Sequence, residues 1–198
     1  MEAPHNSPAT DRRPAPGAEI NLDTPDRMRD LGRALAALLR PGDLVMLTGE
    51  LGAGKTTLTR GIGEGLGVRG AVTSPTFVIA RVHPPLAQGP ALVHVDAYRL
   101  SGGLDEMEDL DLDVSLPESV VVVEWGDDKV EELSDARLHV LIERTRGAGE
   151  DTGRADAGGA AGGDLLPPED DGRRRVRLVG YGERWAGPSL AALAASFA

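Results

Sequence analysis

Apolar positions first recur at helical spacing in "DTPDRMRDLGRALAALLRPGD", where Met28, Leu31, Leu35, Leu38 and Leu39 fall on one face. Thr24 can cap that helix, Pro25 suits its first position, and Pro41-Gly42 stops it, so the pattern predicts an amphipathic helix across this stretch. The pattern then changes. Short apolar runs, several rich in Val, follow at Leu44 to Leu47, Thr76 to Val82, Leu92 to Val95, Val120 to Val123, Leu138 to Ile142 and Val176 to Val179. Their length and β-branching predict buried strands. Further helices are expected from about Gly54 to Leu66 and from Ser189 to Phe197. Strands alternating with helices point to an α/β fold, with a mostly parallel sheet carrying helices on both faces.

Two segments fall outside this pattern. Residues 1–18 are rich in Pro and charge and read as a disordered tail. Residues 146–172 hold eight Gly, five Ala and seven acidic side chains, with Leu165 and Leu166 their only large apolar residues. Such a composition cannot offset the entropy of ordering the backbone, so it reads as a flexible insertion within one domain spanning 19–198.

The chain has 198 residues, enough for a sizeable core, and no cysteine, which excludes disulfides, thiolate metal sites and a cysteine nucleophile. No apolar run approaches the roughly 20 residues needed to span a bilayer, and the start has no apolar signal core, so a cytoplasmic location is expected. The net charge is -11, and residues 104–132 alone carry twelve Asp or Glu against the single Lys129. Such a surface repels phosphodiesters, which argues against direct, sequence-independent binding of nucleic acid. The stretch reads either as a solvated face or as a docking surface for a basic partner.

The candidate chemistry lies in "GELGAGKTT", directly after the Leu44 strand. Gly49-x4-Gly54-Lys55-Thr56 matches the phosphate-binding P-loop at every fixed position, in the required order of strand, loop and helix. The expected fold is therefore P-loop NTPase-like. Glycines let the backbone N-H groups converge on anionic oxygens, and the following helix adds its positive end. Lys55 suits the β- and γ-phosphates, and the Thr56 hydroxyl suits Mg²⁺. The chain has only two lysines, and one stands where the loop requires it.

Such a loop needs an acidic companion at a strand end. "VVVVEWGDD" presents Glu124 and "LVHVDAYRL" presents Asp96, both at the carboxyl ends of apolar runs, where open α/β sheets face their ligands. "SPTF", Ser74, Pro75, Thr76 and Phe77, offers hydroxyls before a strand, either as a simple turn or as a loop that senses the γ-phosphate. His83 and His94 have no metal-like spacing and read as structural. Trp125 is either core or a packing surface beside a metal ligand. "RRRVR", Arg173 to Arg177, reads as an edge strand protected by charge in preference to a phosphate site.

Together, "GELGAGKTT", "TSPTFVIA", "HVDAYRL" and "VEWGD", in this order and spacing, resemble the TsaE family over about residues 22–145. The resemblance implies a small ATPase of low intrinsic activity, using ATP, releasing ADP and requiring Mg²⁺. It acts in the formation of N6-threonylcarbamoyladenosine at position 37 of tRNA. It also implies docking on the TsaB-TsaD heterodimer, contact with tRNA only through that complex, and hydrolysis that allows multiple turnovers. The implied nucleotide set is Glu50, Gly52, Ala53, Gly54, Lys55, Thr56 and Thr57. Thr56 and Glu124 would hold the metal, Lys55 and Asp96 would support hydrolysis, and Ser74 to Phe77 would form a switch loop. Family members also place the start of the first helix, here about Thr24 and Pro25, near the nucleotide. His83 stands where many members have Tyr, and Asp127 occupies a variable position after Trp125, so neither takes a role from the resemblance.

Three other functions share the loop. A small-molecule kinase would need an Arg-bearing lid, for which Arg99 is the single candidate. A regulatory GTPase would need an Asn-Lys-x-Asp motif, and the remaining lysine sits in "DDKVEE". A scaffold that binds nucleotide only to dock would not need Lys55, Thr56, Asp96 and Glu124 together.

Overall fold

The computed structural model describes residues 17–75, 79–99, 115–126, 134–145 and 172–198. Helix α1 spans Pro25–Ala36. The Thr24 hydroxyl accepts a hydrogen bond from Arg27 N at 3.2 Å, satisfying one of the helix's unpaired first-turn donors, and Pro25 supplies a preset φ. Met28, Leu31 and Leu35 are buried, as the spacing requires. The last turn tightens, with Leu38 N bonding Leu35 O at 2.8 Å, before Pro41-Gly42 redirects the chain.

That turn feeds β2 (Leu44–Gly49), whose first four residues are fully buried. Helix α2 (Lys55–Leu66) follows the Gly-rich loop. The other strands are β1 (Ala18–Leu22), β3 (Ala80–His83), β4 (Ala91–Asp96), β5 (Ser119–Glu124), β6 (Arg137–Arg144) and β7 (Arg174–Tyr181). A final helix, α3, runs over Ser189–Ala195.

One sheet joins all seven strands in the order β1-β7-β6-β2-β5-β4-β3. Its centre, β6-β2-β5-β4, is parallel, whereas β3, β7 and β1 are added antiparallel. The sheet is thus parallel where the predicted site lies and mixed toward its rims. Alternate side chains of β2 enter two apolar clusters: Val45 and Leu47 join the larger, with Leu31, Leu58 and Leu190 from the three helices, and Leu44 and Met46 join the smaller, with Val93 and Val123. The described part of the second face is closed by Ile79, Ala80 and Leu116. Among the described residues, no helix is long and apolar enough to cross a membrane.

Three strand expectations change. β1 is a strand that the apolar runs did not announce: Ala18, Ile20 and Leu22 point inward and Glu19 and Asn21 outward, a period-two pattern only five residues long. Because β1 covers β7, the Arg-rich strand is interior and not an edge. Arg175 and Arg177 are exposed and flank the buried Val176, and Arg175 meets Glu19 of β1 at 3.3 Å. Of the strand expected over Thr76 to Val82, Thr76 to Val78 lie outside the described residues; Ile79, at φ 64, donates to Pro75 O at 2.8 Å, and the described strand pairs over Ala80–His83. The residue 1–18 tail apart from its last two positions, the 146–172 insertion apart from Gly172, and most of the acidic 104–132 stretch lie outside the described residues.

Candidate functional site

Parallel registration brings the site together. Leu47 of β2 lies opposite Glu124 of β5, and Glu124 lies opposite Asp96 of β4, so both carboxylates and the Gly-rich loop share the carboxyl edge of the sheet. The loop turns where Ala53 N bonds Glu50 O at 3.0 Å. Gly52 and Gly54 take φ of 74° and 114°, a region that β-carbons disfavour, and a Cβ at Gly52 would collide with Arg144 Nη2. Gly54 precedes α2 without any side-chain cap, so the first N-H groups of the helix face the loop.

Lys55 is buried. Its Nζ donates to Gly49 O at 2.6 Å and Glu50 O at 3.0 Å and lies 3.5 Å from the centroid of the Trp125 ring. Trp125 itself has φ 62, is held by a bond from its N to Leu47 O at 3.2 Å, and packs on Tyr98 with ring centroids 5.2 Å apart. A tryptophan in that backbone region is an outlier for a bulky side chain. The β5 exit thus bends Trp125 back over the lysine.

The Thr56 hydroxyl donates to both oxygens of Glu124, at 3.0 and 3.1 Å, and Thr59 reaches Oε1 at 3.5 Å. His94 Nε2 lies 2.8 Å from that same Oε1. Asp96 accepts from Ser74 Oγ at 3.0 Å and from Tyr98 N at 3.2 Å, while its own N-H donates to Ile79 O at 2.8 Å. Asp96 therefore touches the first residue of the Ser74 to Phe77 segment and the chain just beyond it, at Ile79. Ser74 and Pro75 are described; Thr76, Phe77 and Asp127 lie outside the described residues.

These groups line a cavity of about 410 Å³ that includes Gly52, Lys55, Thr56, Ser74, Asp96 and Glu124. A second hollow of about 140 Å³ lies on the other side of the loop, lined by Thr24, Pro25, Met28, Ala53, Thr57 and Arg174, which sets the start of α1 beside the loop. Every described member of the predicted set except Glu50 and Pro75 lines one of these hollows; Glu50 contributes its carbonyl to Lys55.

The site also contains residues the motifs did not assign. Arg144 Nη2 donates to Leu51 O at 2.8 Å and Arg174 Nε to Ala53 O at 3.0 Å; the two are cross-strand partners on β6 and β7, and together they brace the loop from the side. Arg174 falls in the basic run read as edge protection. His94, read as structural, contacts a predicted metal ligand. Its one sequence signal is its position two before Asp96, hence on the same face of β4.

The arrangement fits a nucleoside triphosphate with Mg²⁺. A glycine-shaped loop ahead of an uncapped helix start supplies N-H donors for phosphate, and a hydroxyl within 3.1 Å of a carboxylate supplies two hard oxygens of the kind Mg²⁺ takes beside phosphates and water. Fold and loop together define an α/β protein of the P-loop NTPase-like class.

Comparison with known proteins narrows that class. The model of one family, described as "Threonylcarbamoyl adenosine biosynthesis protein TsaE", matches residues 22–152. A tRNA threonylcarbamoyladenosine biosynthesis protein TsaE of Streptomyces coelicolor is 65% identical over 167 residues, covering 84% of this chain and 99% of that one. The Bacillus subtilis protein of the same name is 41% identical over 128 residues, covering 64% of this chain and 76% of that one. The crystal structure of Bacillus subtilis YdiB superposes with a TM-score of 0.61 at 28% identity, covering 91% of this chain and 96% of that one. The chain belongs to the TsaE family.

Proposed function

We propose that this protein binds ATP with Mg²⁺ and hydrolyses it slowly, so that the TsaB-TsaD complex can form N6-threonylcarbamoyladenosine on tRNA over repeated turnovers. The observation that carries the reading is the convergence of Lys55, Thr56, Asp96 and Glu124 on one cavity at the carboxyl edge of the sheet. The family relatives, named for threonylcarbamoyladenosine biosynthesis, supply the pathway.

In this reading the Lys55 ammonium exchanges its two loop carbonyls for the β- and γ-phosphates, and the loop N-H groups bind the remaining oxygens. Thr56 and Glu124 hold Mg²⁺, which when bound neutralises charge on the phosphates. Asp96 orients the attacking water, either directly or through Ser74, and the γ-phosphoryl group leaves to water. Arg144 and Arg174 hold the loop carbonyls away from the anion.

The test is ATP turnover measured alone and with TsaB-TsaD, followed by tRNA modification under multiple-turnover conditions. Lys55→Ala should lower nucleotide affinity or turnover by on the order of 100-fold and stop modification after the first cycle. Continued cycling by Lys55→Ala at the parental rate would overturn the proposal.

A further inference from the structure

We propose that His94 is a positioning residue: its ring Nε2 holds Glu124 Oε1 so that Oε2 and the Thr56 hydroxyl are presented together to a divalent cation. The inference rests on the metal reading of Thr56 and Glu124 given above.

His94 is fully buried on β4, and its Nε2 lies 2.8 Å from Glu124 Oε1 on the adjoining parallel strand. A carboxylate offers only acceptors, so the ring nitrogen facing it is the donor. The other ring nitrogen, Nδ1, is buried and makes no hydrogen bond among the described residues. The neighbouring positions on the strand, Val93 and Val95, are apolar. A histidine that only filled space here would gain nothing over an apolar residue, since one nitrogen is left unsatisfied. What it gains is one contact, and that contact is Glu124.

The contact divides the carboxylate's two oxygens. Oε1 receives His94 at 2.8 Å, Thr59 at 3.5 Å and Thr56 at 3.0 Å, whereas among the described residues Oε2 receives Thr56 alone, at 3.1 Å. A glutamate side chain has several rotatable bonds, and without an anchor its carboxylate would have to be ordered each time a cation binds. Partners behind a ligand that fix its orientation commonly set metal affinity. Asp96, two residues along the same strand, has its oxygens accepting from Ser74 and Tyr98. His94 thus serves the metal side of the site, separately from Asp96.

The geometry suggests a rescue. A Gln amide nitrogen reaches about as far as the imidazole Nε2, whereas an Asn amide nitrogen reaches only as far as Nδ1. ADP binding is measured by calorimetry over a series of free Mg²⁺ concentrations and in excess EDTA, using the full chain and its His94→Leu, His94→Gln and His94→Asn variants. His94→Leu and His94→Asn should raise the Mg²⁺ concentration for half-maximal effect about tenfold or more, while His94→Gln stays within about threefold of the parent. ADP affinity in EDTA should be the same in all four. Parental Mg²⁺ dependence in the Leu or Asn variant overturns the proposal, as does an equal loss in Gln and Asn. Should the Leu variant not fold, Gln against Asn decides. A parent whose ADP binding shows no Mg²⁺ dependence overturns the metal reading itself, and this inference with it; a dependence shared unchanged by every variant overturns the role of His94 alone.

Discussion

Asp96 gathers more of the site than its motif announces. Its carboxylate accepts from Ser74, its backbone N-H donates to Ile79 O, and it also caps the turn at Tyr98. Asp96→Asn keeps the shape but weakens the acceptor, so ATP affinity should stay within about threefold while turnover falls on the order of 100-fold. Unchanged turnover in single-cycle ATP hydrolysis would reject that role. His83 offers a different test. It is buried on β3, and burial lowers its pKa from 6.5, opposed by a hydrogen bond to the Arg69 backbone and reinforced by His94 and Arg81. The unfolded chain therefore takes up a proton at a higher pH than the folded one. The contribution of His83 to stability is complete above about pH 6.5 and is lost as pH falls toward the lowered folded value. Urea midpoints near pH 7.5 and 5.5 should differ more in the parent than in His83→Gln, and equal differences would exclude His83 as the source. At this scale the sequence announces Lys55, Thr56, Asp96 and Glu124, because a fixed loop pattern and the ends of two apolar runs mark their types and positions. It does not announce His94, Arg144 or Arg174, because their meaning depends on which strand lies beside them.

Helices α1 and α2 cross where side chains are absent. A Cβ on Gly61 would strike Arg29 O, and one on Gly32 would strike Leu58 O and lie 2.8 Å from Gly61 Cα. The crossing lets α2, which carries Lys55, Thr56 and Thr59, lie against α1, whose start lines the hollow beside the loop. Arg29 Nε adds a bond to Glu64 across the same crossing at 2.7 Å. In an isolated helix Gly61→Ala would stabilise by about 1 kcal/mol. Here the obstacle is backbone, which cannot rotate away, so the helices must separate at a net cost of about 1–3 kcal/mol. Thermal unfolding and ADP affinity should both fall; a variant at least as stable as the parent would show that the crossing has slack. The element pattern was legible where periodicity is long, as in α1, and where runs are uniformly apolar, as in β2 and β5. It was not legible for β1, whose alternation is brief, nor for the place of β7. Charge on a strand marks an exposed face as readily as an exposed edge, and the partner that decides between them, β1, lies over 150 residues earlier in the chain.

The two ends of the domain are tied at the rim opposite the loop. Asp43, at the entrance to β2, is buried and accepts from Arg184 Nε at 3.0 Å and Nη2 at 2.8 Å, while the same Nη2 bonds Leu38 O at 2.6 Å. Arg184 belongs to the turn after β7, 141 residues from Asp43, and its guanidinium lies 4.2 Å from the Trp185 ring centroid. The contact fastens the turn between α1 and β2 to the segment that leads into α3. Arg184→Met removes the cation and leaves the buried carboxylate with Arg40 N, at 2.8 Å, as its donor among the described residues. Because the Arg184 side chain is about a quarter exposed, the loss should sit near the lower end for a broken buried pair, about 3 kcal/mol. Asp43→Asn in the same background should recover part of that loss, since an amide tolerates the lost cation better than a carboxylate does. Denaturant unfolding of the parent, both single variants and the double variant gives the coupling directly. A strictly additive cycle would show that the pair contributes nothing beyond its separate hydrogen bonds. Nucleotide affinity belongs in the same measurement. The tie lies at the amino end of β2, with the strand's full length between it and the phosphate loop, so folded Arg184→Met should bind ADP as the parent does. A weakened affinity there would mean that the sheet transmits strain from one rim to the other.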